Sequence, residues 1–263
     1  MELEHKPMQE QPVTEVKPPE AMAPTVQAIG PEQLKKFTQV LQKYKSGKTQ
    51  TESRIVASEN WWKLRNSMEE KKTTNIGKDD GFMSVSGWLH NVIVSKHADA
   101  MESFPEPNIL PREEMDKEEA QRLSNIVPCI LEQNQFEETY SDAMWQKIKT
   151  GTGVYKIIWD KSKLNGLGDI SIRKIDLINL FWESGIMDIQ KSRNLFHVEL
   201  ADNDILVQNY PQLEGKLGSA TMDITKYVYD DKVDTNDKSI VVDWYYKKNV
   251  GGKMVLHYCK YVN

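Results

Sequence analysis

The histidines and cysteines offer two pairs of potential metal ligands. His90 and His97 lie seven residues apart on one predicted helix, and His257 and Cys259 lie two apart on one predicted strand. Neither pair has the spacing of a four-ligand structural zinc site. We therefore interpret these residues as core or surface side chains, and we predict no metal and no cofactor.

Nucleophilic chemistry has no recognisable motif in this sequence. No Gly-x-Ser-x-Gly sequence occurs, and neither cysteine lies in an activating motif. Cys129 follows Pro128 inside an apolar helical stripe, so we expect a small, buried side chain there. We predict that no residue is catalytic and that the protein is not an enzyme.

Acidic residues cluster around the start of a predicted helix, where they complement the helix dipole. This position indicates a solvated first turn rather than acid–base catalysis. The cluster consists of Glu113, Glu114, Asp116, Glu118 and Glu119.

Gly151 and Gly153 follow a helix and precede a strand. A phosphate-binding loop needs the reverse order, in which a strand leads through glycines into a helix. We therefore predict a structural turn at Gly151–Gly153 that ends the helix.

A basic segment at residues 54–72 contains Trp61 and Trp62. Lysines and arginines interleaved with tryptophan could bind phosphates and bases. A solvated face around a core aromatic pair is the other interpretation, because no helix-turn-helix, zinc-finger or RNP motif occurs.

Helical spacing predicts the elements of the first half of the chain. Pro31 begins a short helix that ends at Gly47, and Thr51 or Ser53 caps a second helix. Ser86 caps a third helix, which stops before Pro105.

One long helix is predicted from Asp116 to about Thr150. Asp116 is its N-cap, with Glu119 completing a capping box, and Pro128 introduces a kink.

Strand patterns dominate the second half. A turn containing Asn165 and Gly166 joins strands 154–160 and 169–175 in a hairpin. Further predicted elements are an apolar run at 177–182, a strand at 195–200, a short helix from Asp202 to Tyr210, and a hairpin of 240–247 with 254–262. The fold class is α+β, with N-terminal helices and one long kinked helix packed on a mostly antiparallel sheet.

Composition indicates a chain that buries a core. Of 263 residues, 39 % are hydrophobic, and the formal net charge is −5, which argues against a surface that simply coats nucleic acid. Two cysteines far apart in sequence predict a reducing compartment, and no apolar run is long enough to cross a membrane.

Three regions are predicted. Residues 1–31 hold six of the eleven prolines and no Phe, Trp or Tyr, so we expect a disordered arm that is dispensable for folding. Residues 32–110 form a helical region and residues 111–263 an α/β region. Because the last strand runs to Asn263 without a turn or polar tail, we expect this third region to be incomplete at its C-terminus.

Several stretches together resemble the N-terminal, wing part of tailed-bacteriophage portal proteins. They are residues 86–107, the helix end and turn at 145–155, the strand end at 157–160, and residues 176–189. The resemblance covers roughly residues 53–263. It includes no catalytic motif.

The resemblance implies a structural subunit of a ring, usually of twelve copies, at one capsid vertex of the virion, with assembly in the host cytoplasm. Double-stranded DNA would pass through this ring during packaging and ejection. The implied partners are the terminase large subunit, the major capsid and scaffolding proteins, and a head-completion or tail adaptor. The alternative is a non-enzymatic nucleic-acid-binding accessory protein that uses residues 54–72.

Overall fold

A computed structural model describes residues 29–64, 87–218 and 236–262. The predicted disordered arm, the Ser86 cap and the basic residues 65–72 therefore lie wholly or largely outside the described residues. By their internal contacts, residues 1–39 and residues 40–263 form two compact units.

The first helix, α1, is continuous from Pro31 to Trp62. The prediction that Gly47 ends it was wrong. A Cβ atom built at Gly47 would lie 2.3 Å from Ser184 Oγ. The glycine therefore permits close packing of a continuing helix rather than a chain reversal.

The second helix, α2, runs from Trp88 to Glu102 after Gly87. It ends before Pro105, as the proline pattern predicted. Ile93 is its buried residue.

The predicted long helix is interrupted. Helix α3 spans Lys117–Gln133 and α4 spans Phe136–Thr150. Pro128 lies inside α3, and the break comes at Gln135, whose φ of 49° and ψ of 46° are left-handed. The single long helix was therefore a wrong prediction.

Asn134 supplies the physical reason for this break. Its Nδ2 donates to the carbonyls of Ile130, at 2.7 Å, and Ile170, at 3.0 Å. Its Oδ1 accepts from Lys163 Nζ at 2.7 Å. Bonds to a distant strand thus replace the helical continuation.

The capping box also differs from the prediction. Asp116 occupies the N-cap position of α3 but makes no side-chain cap bond there. Its carboxylate instead accepts from the Glu113 backbone N–H at 3.3 Å, so the box is formed by Glu113 and Asp116.

Strands β1, Val154–Asp160, and β2, Asp169–Ile175, form an antiparallel hairpin with the predicted bounds. Asn165 and Gly166, with φ of 55° and 94°, turn the chain between them. Alternate residues of β1 are exposed, which leaves Lys156 and Ile158 on the covered face.

A second antiparallel sheet has the order β3-β4-β5-β6. Its strands are β3, Leu180–Trp182; β4, Asn194–Asp202; β5, Lys238–Val250; and β6, Lys253–Val262. Helix α5, Asn203–Asn209, follows β4. The α+β class and the antiparallel pairing are confirmed, with two sheets in place of one.

The core lies against one face of the four-stranded sheet. Phe196 and Trp244 are paired across β4 and β5, and both are fully buried. Tyr44 of α1 meets Phe196 edge-on at 5.9 Å. The opposite face carries His197 and Asp243.

None of the helices within the described ranges combines the length and the apolar character that a membrane crossing requires.

The turn from α4 into β1 uses its two glycines differently. Gly151 has a φ of 85°, and its N–H donates to Lys147 O at 2.8 Å, which closes the helix. A Cβ at Gly153 would lie 2.8 Å from Ala143 O, a backbone atom of a buried helix residue. Gly151 meets a conformational requirement and Gly153 a packing requirement.

We expect Gly153→Val to destabilise the protein by about 1–3 kcal/mol, because the new side chain collides with the α4 backbone. Urea unfolding measures the loss, and hydrogen exchange should show weakened protection in both α4 and β1. Gly218→Val is the matched control, since a Cβ at Gly218 meets nothing within 4 Å. Equal stability of the two variants would contradict this role for the turn.

Candidate functional site

The two helix histidines meet in a stack of four aromatic rings. His90 stacks on Trp62 with ring centroids 4.1 Å apart, and His97 stacks on Trp145 at 3.9 Å. Trp62 and Trp145 are 5.3 Å apart. His97 Nε2 also lies 3.0 Å from Ser141 Oγ. These rings join α1, α2 and α4.

This stack argues against the interpretation that residues 54–72 bind nucleic acid. The Trp62 ring already contacts two aromatic partners, so it is not free to stack on a base. Trp61 is 55 % exposed. Three of the basic residues that motivated the hypothesis, Arg65, Lys71 and Lys72, lie outside the described residues.

The second pair of potential metal ligands, His257 and Cys259, lies on one face of β6. His257 stacks on Tyr246 at 5.1 Å, and Cys259 pairs with Trp244 across the ladder. Burial raises the pKa of the Cys259 thiol. A raised pKa disfavours the reactive thiolate.

Cys129 is exposed, and the prediction that it is buried was wrong. Its helix, α3, has helical periodicity, but Leu123 and Ile126 are also about half exposed. Periodicity identifies an apolar face without showing that another element covers it. The acidic residues at the start of α3 are exposed or half-exposed, and Glu114 pairs with Lys117 at 2.9 Å.

A cluster of buried charges lies between the two sheets, and sequence patterns did not predict it. Lys156 Nζ of β1 lies 2.5 Å from Asp243 Oδ2 of β5 and 3.2 Å from His197 Nδ1 of β4. Tyr258 of β6 donates to Asp243 Oδ1 at 2.7 Å. Lys260 approaches the same oxygen at 3.6 Å. The cluster thus ties the β1–β2 hairpin to three strands of the larger sheet.

The electrostatics of this cluster favour an ionised carboxylate. Burial of Asp243 opposes its ionisation. Hydrogen bonds from His197, Lys156 and Tyr258, together with the Lys156 charge, outweigh that effect and hold the Asp243 pKa well below its usual range. The lowered pKa means that the Asp243 carboxylate is ionised at neutral pH.

The tyrosines on this face are held in their neutral form. Burial, the hydrogen bond to Asp243 and the charge of that carboxylate raise the pKa of Tyr258 far above its usual value. Burial and the charges of Asp243 and Glu199 raise the pKa of Tyr245 to about 12. The Tyr258 hydroxyl therefore acts as a donor to Asp243 rather than as a base.

The signal for this cluster was present in the sequence. Asp243 interrupts the apolar run Ile240–Trp244, and Lys156 interrupts the apolar strand 154–159. A charged side chain on a covered strand face requires a partner of opposite charge. Nothing in the spacing of these two residues identifies them as each other's partner.

His197, Glu199 and Asp243 could also present ligand atoms to a cation, since one such atom from each lies within 4.8 Å of the others. The Lys156 ammonium already contacts two of these three residues. It supplies the positive charge that a metal ion would bring. The residues fit a role in joining the sheets better than a metal centre.

A second buried lysine joins α1 to the start of β3. Lys48 Nζ donates to the carbonyls of Leu177, of Ile178 at 2.8 Å and of Leu180 at 2.7 Å. It also lies 4.6 Å from the centroid of the Phe181 ring. Burial lowers the Lys48 pKa to about 7, and Glu52 offsets part of this effect.

The buried polar groups of this site join elements of the fold, which is a structural role. The family model for phage P22-like portal proteins matches residues 98–258. The chain belongs to this family, which confirms the resemblance seen in the sequence. Its role is that of a structural portal protein associated with the capsid vertex of a phage virion. A search of curated proteins found no match.

We expect Lys156→Met to destabilise the protein by about 3–5 kcal/mol, because it leaves the buried Asp243 carboxylate without its closest cation. Adding Asp243→Leu to this variant should recover most of the loss. Lys174→Met is the control, because Lys174 forms two partly exposed ion pairs with N–O distances of 3.6 and 3.7 Å. Its loss should lower the free energy of unfolding by about 1 kcal/mol or less. Urea unfolding at neutral pH compares the four proteins, and a double variant no more stable than Lys156→Met would contradict the pairing.

Lys48 should make stability depend on pH. Its pKa falls from 10.5 to about 7 on folding, so between these values the unfolded chain binds the extra proton and stability rises with pH. The rise is about 1.4 kcal/mol per pH unit at most. Lys48→Met should lose this rise between pH 7 and 9, whereas the exposed Lys43→Met should keep it. Identical pH profiles for Lys48→Met and the wild type would contradict the assignment.

Proposed function

We propose that this protein is a subunit of the portal ring at one capsid vertex, through which double-stranded DNA is packaged and ejected. The observation that carries the proposal is the family match over residues 98–258. This range contains α3, α4, the β1–β2 hairpin and most of the four-stranded sheet. It also contains the Lys156–Asp243 pair that joins the two sheets.

The ring is proposed to contain twelve subunits and to assemble in the host cytoplasm. Its proposed partners are the terminase large subunit, which would supply the ATPase, the major capsid and scaffolding proteins, and a head-completion or tail adaptor. The protein itself is proposed to work by assembly, not catalysis. The division into residues 1–31, 32–110 and 111–263 remains part of this proposal.

Contacts in a closed ring of identical subunits are heterologous, so one face of each subunit fits a different face of its neighbour. A ring subunit must therefore expose two unlike surfaces. The described part of the chain exposes several apolar side chains on different elements, including Trp159 of β1 and Leu256 of β6. Such surfaces are consistent with burial in an assembly.

An amber codon introduced into this gene in its phage tests the proposal. We expect capsids without packaged DNA in a non-suppressing host, and recovery of DNA-filled capsids when the complete chain is supplied from a plasmid. An antibody against the purified chain should label recovered virions at one vertex. DNA-filled particles without the protein, or labelling over the whole capsid, would contradict the proposal.

A further inference from the structure

The hairpin of β5 and β6 extends beyond the sheet. Residue pairing between β4 and β5 ends at Asn194 and Tyr246. Beyond it, Lys247–Val250 pair with Lys253–Leu256, and Gly251 and Gly252 form the turn. Lys247 at the base of this extension also donates its backbone N–H to Arg193 O at 3.0 Å. We name residues 247–256 the β-arm. A two-stranded ribbon of this kind is marginally stable in water unless something covers it.

Apolar side chains lie on both faces of the β-arm. Cross-strand partners share a face, so Val250 and Val255 lie on one face, and Met254 and Leu256 on the other. These four side chains are between 40 % and 62 % exposed. A surface strand that belongs only to its own sheet needs apolar residues on one face. Two apolar faces indicate that the β-arm inserts into another surface.

The β-arm is also basic. It contains Lys247, Lys248 and Lys253 and no acidic residue, which gives a net charge of +3. Lysines on an edge strand oppose unspecific pairing with other strands. They leave association open to a partner that is both apolar and acidic.

The start of α3 provides such a surface on the same chain. In residues 110–119, five carboxylates and two basic residues leave a net charge of −3. The exposed apolar side chains beside them are Leu110, Met115, Leu123 and Ile126. Met115 is 92 % exposed. The charge of this surface is equal and opposite to that of the β-arm.

We infer that the β-arm of one subunit docks on the start of α3 of a second copy of this chain. The inference rests on the proposed ring, because a basic arm meeting an acidic helix is a heterologous contact that repeats around a ring. Both surfaces lie within the part of the chain that matches the portal family. The apolar side chains would form the centre of the contact and the charges its rim.

Charge reversal tests the contact. The arm variant is Lys248→Glu with Lys253→Glu, and the helix variant is Glu114→Lys with Glu119→Lys. At low ionic strength we expect each variant to self-associate about 10- to 100-fold more weakly than the wild type, because like charges then face each other. Sedimentation velocity over a concentration series measures the association, and circular dichroism checks the fold.

A protein that carries all four reversals should regain the wild-type association, because opposite charges face each other again. Mixing the arm variant with the helix variant should also produce heterodimers. The control is Lys96→Glu with Lys161→Glu, which makes the same charge change as the arm variant at exposed positions on α2 and after β1. It should associate as the wild type does.

The apolar part of the contact needs its own variant. Val250→Ser with Met254→Ser should weaken association without a change in salt dependence, since it removes no charge. Association of the arm or helix variant equal to wild type, or no recovery in the fourfold variant, would overturn the inference. Vertex labelling of virions would then still stand as the independent test of the ring. A wild type that remains monomeric at its highest soluble concentration would also overturn the inference.

Discussion

The buried carboxylate of Asp243 determines how the two sheets of this protein meet. It is almost wholly covered, and a buried charge of this kind is tolerated only when it is paired and hydrogen-bonded. The pairing requires Lys156 to project from the covered face of β1, so it orients the β1–β2 hairpin. It also constrains the strand register, because a slip of one residue in β5 would turn Asp243 toward Phe196 and Tyr44. Neither aromatic ring could neutralise the charge.

The sheet is thus joined to its surroundings by a lysine on each side, in two different ways. Lys156 meets a full negative charge and the hydroxyl and imidazole groups around it. Lys48 meets backbone carbonyls and the face of Phe181. When Lys48 is protonated, its three N–H donors match the three carbonyl acceptors around it. Gly47 beside it lets α1 approach Ser184 closely enough for that match. Helix position on one side and hairpin position on the other are therefore specified by polar geometry, while the hydrophobic core supplies buried apolar area.

Local patterns predicted the elements whose determinants are local. The hairpin of β1 and β2 had its bounds correct, because alternation and the turn at Asn165 and Gly166 act within a few residues. The break between α3 and α4 was missed, because the partners of Asn134 include Lys163 and Ile170, which are distant in sequence. Gly47 was misread for the same reason, since its spatial neighbour Ser184 is distant in sequence. For the charge cluster, Asp243 and Lys156 each stood out within an apolar run, but their pairing is a property of the tertiary structure. The family assignment succeeded on other grounds, since it used the order of several weak motifs along the chain.

The Lys156–Asp243 pair also has a consequence for synthesis on the ribosome. Its two residues are separated by 87 positions, so translation of the intervening chain takes roughly 4–17 s at typical rates. During this interval the hairpin can already form, with Lys156 and the covered face of β1 open to water. The sheet that covers them forms only when β5 and β6 have left the exit tunnel. The nascent chain therefore passes through a period in which the Lys156–Asp243 contact has not yet formed. Chaperones that bind exposed strands can act during this period.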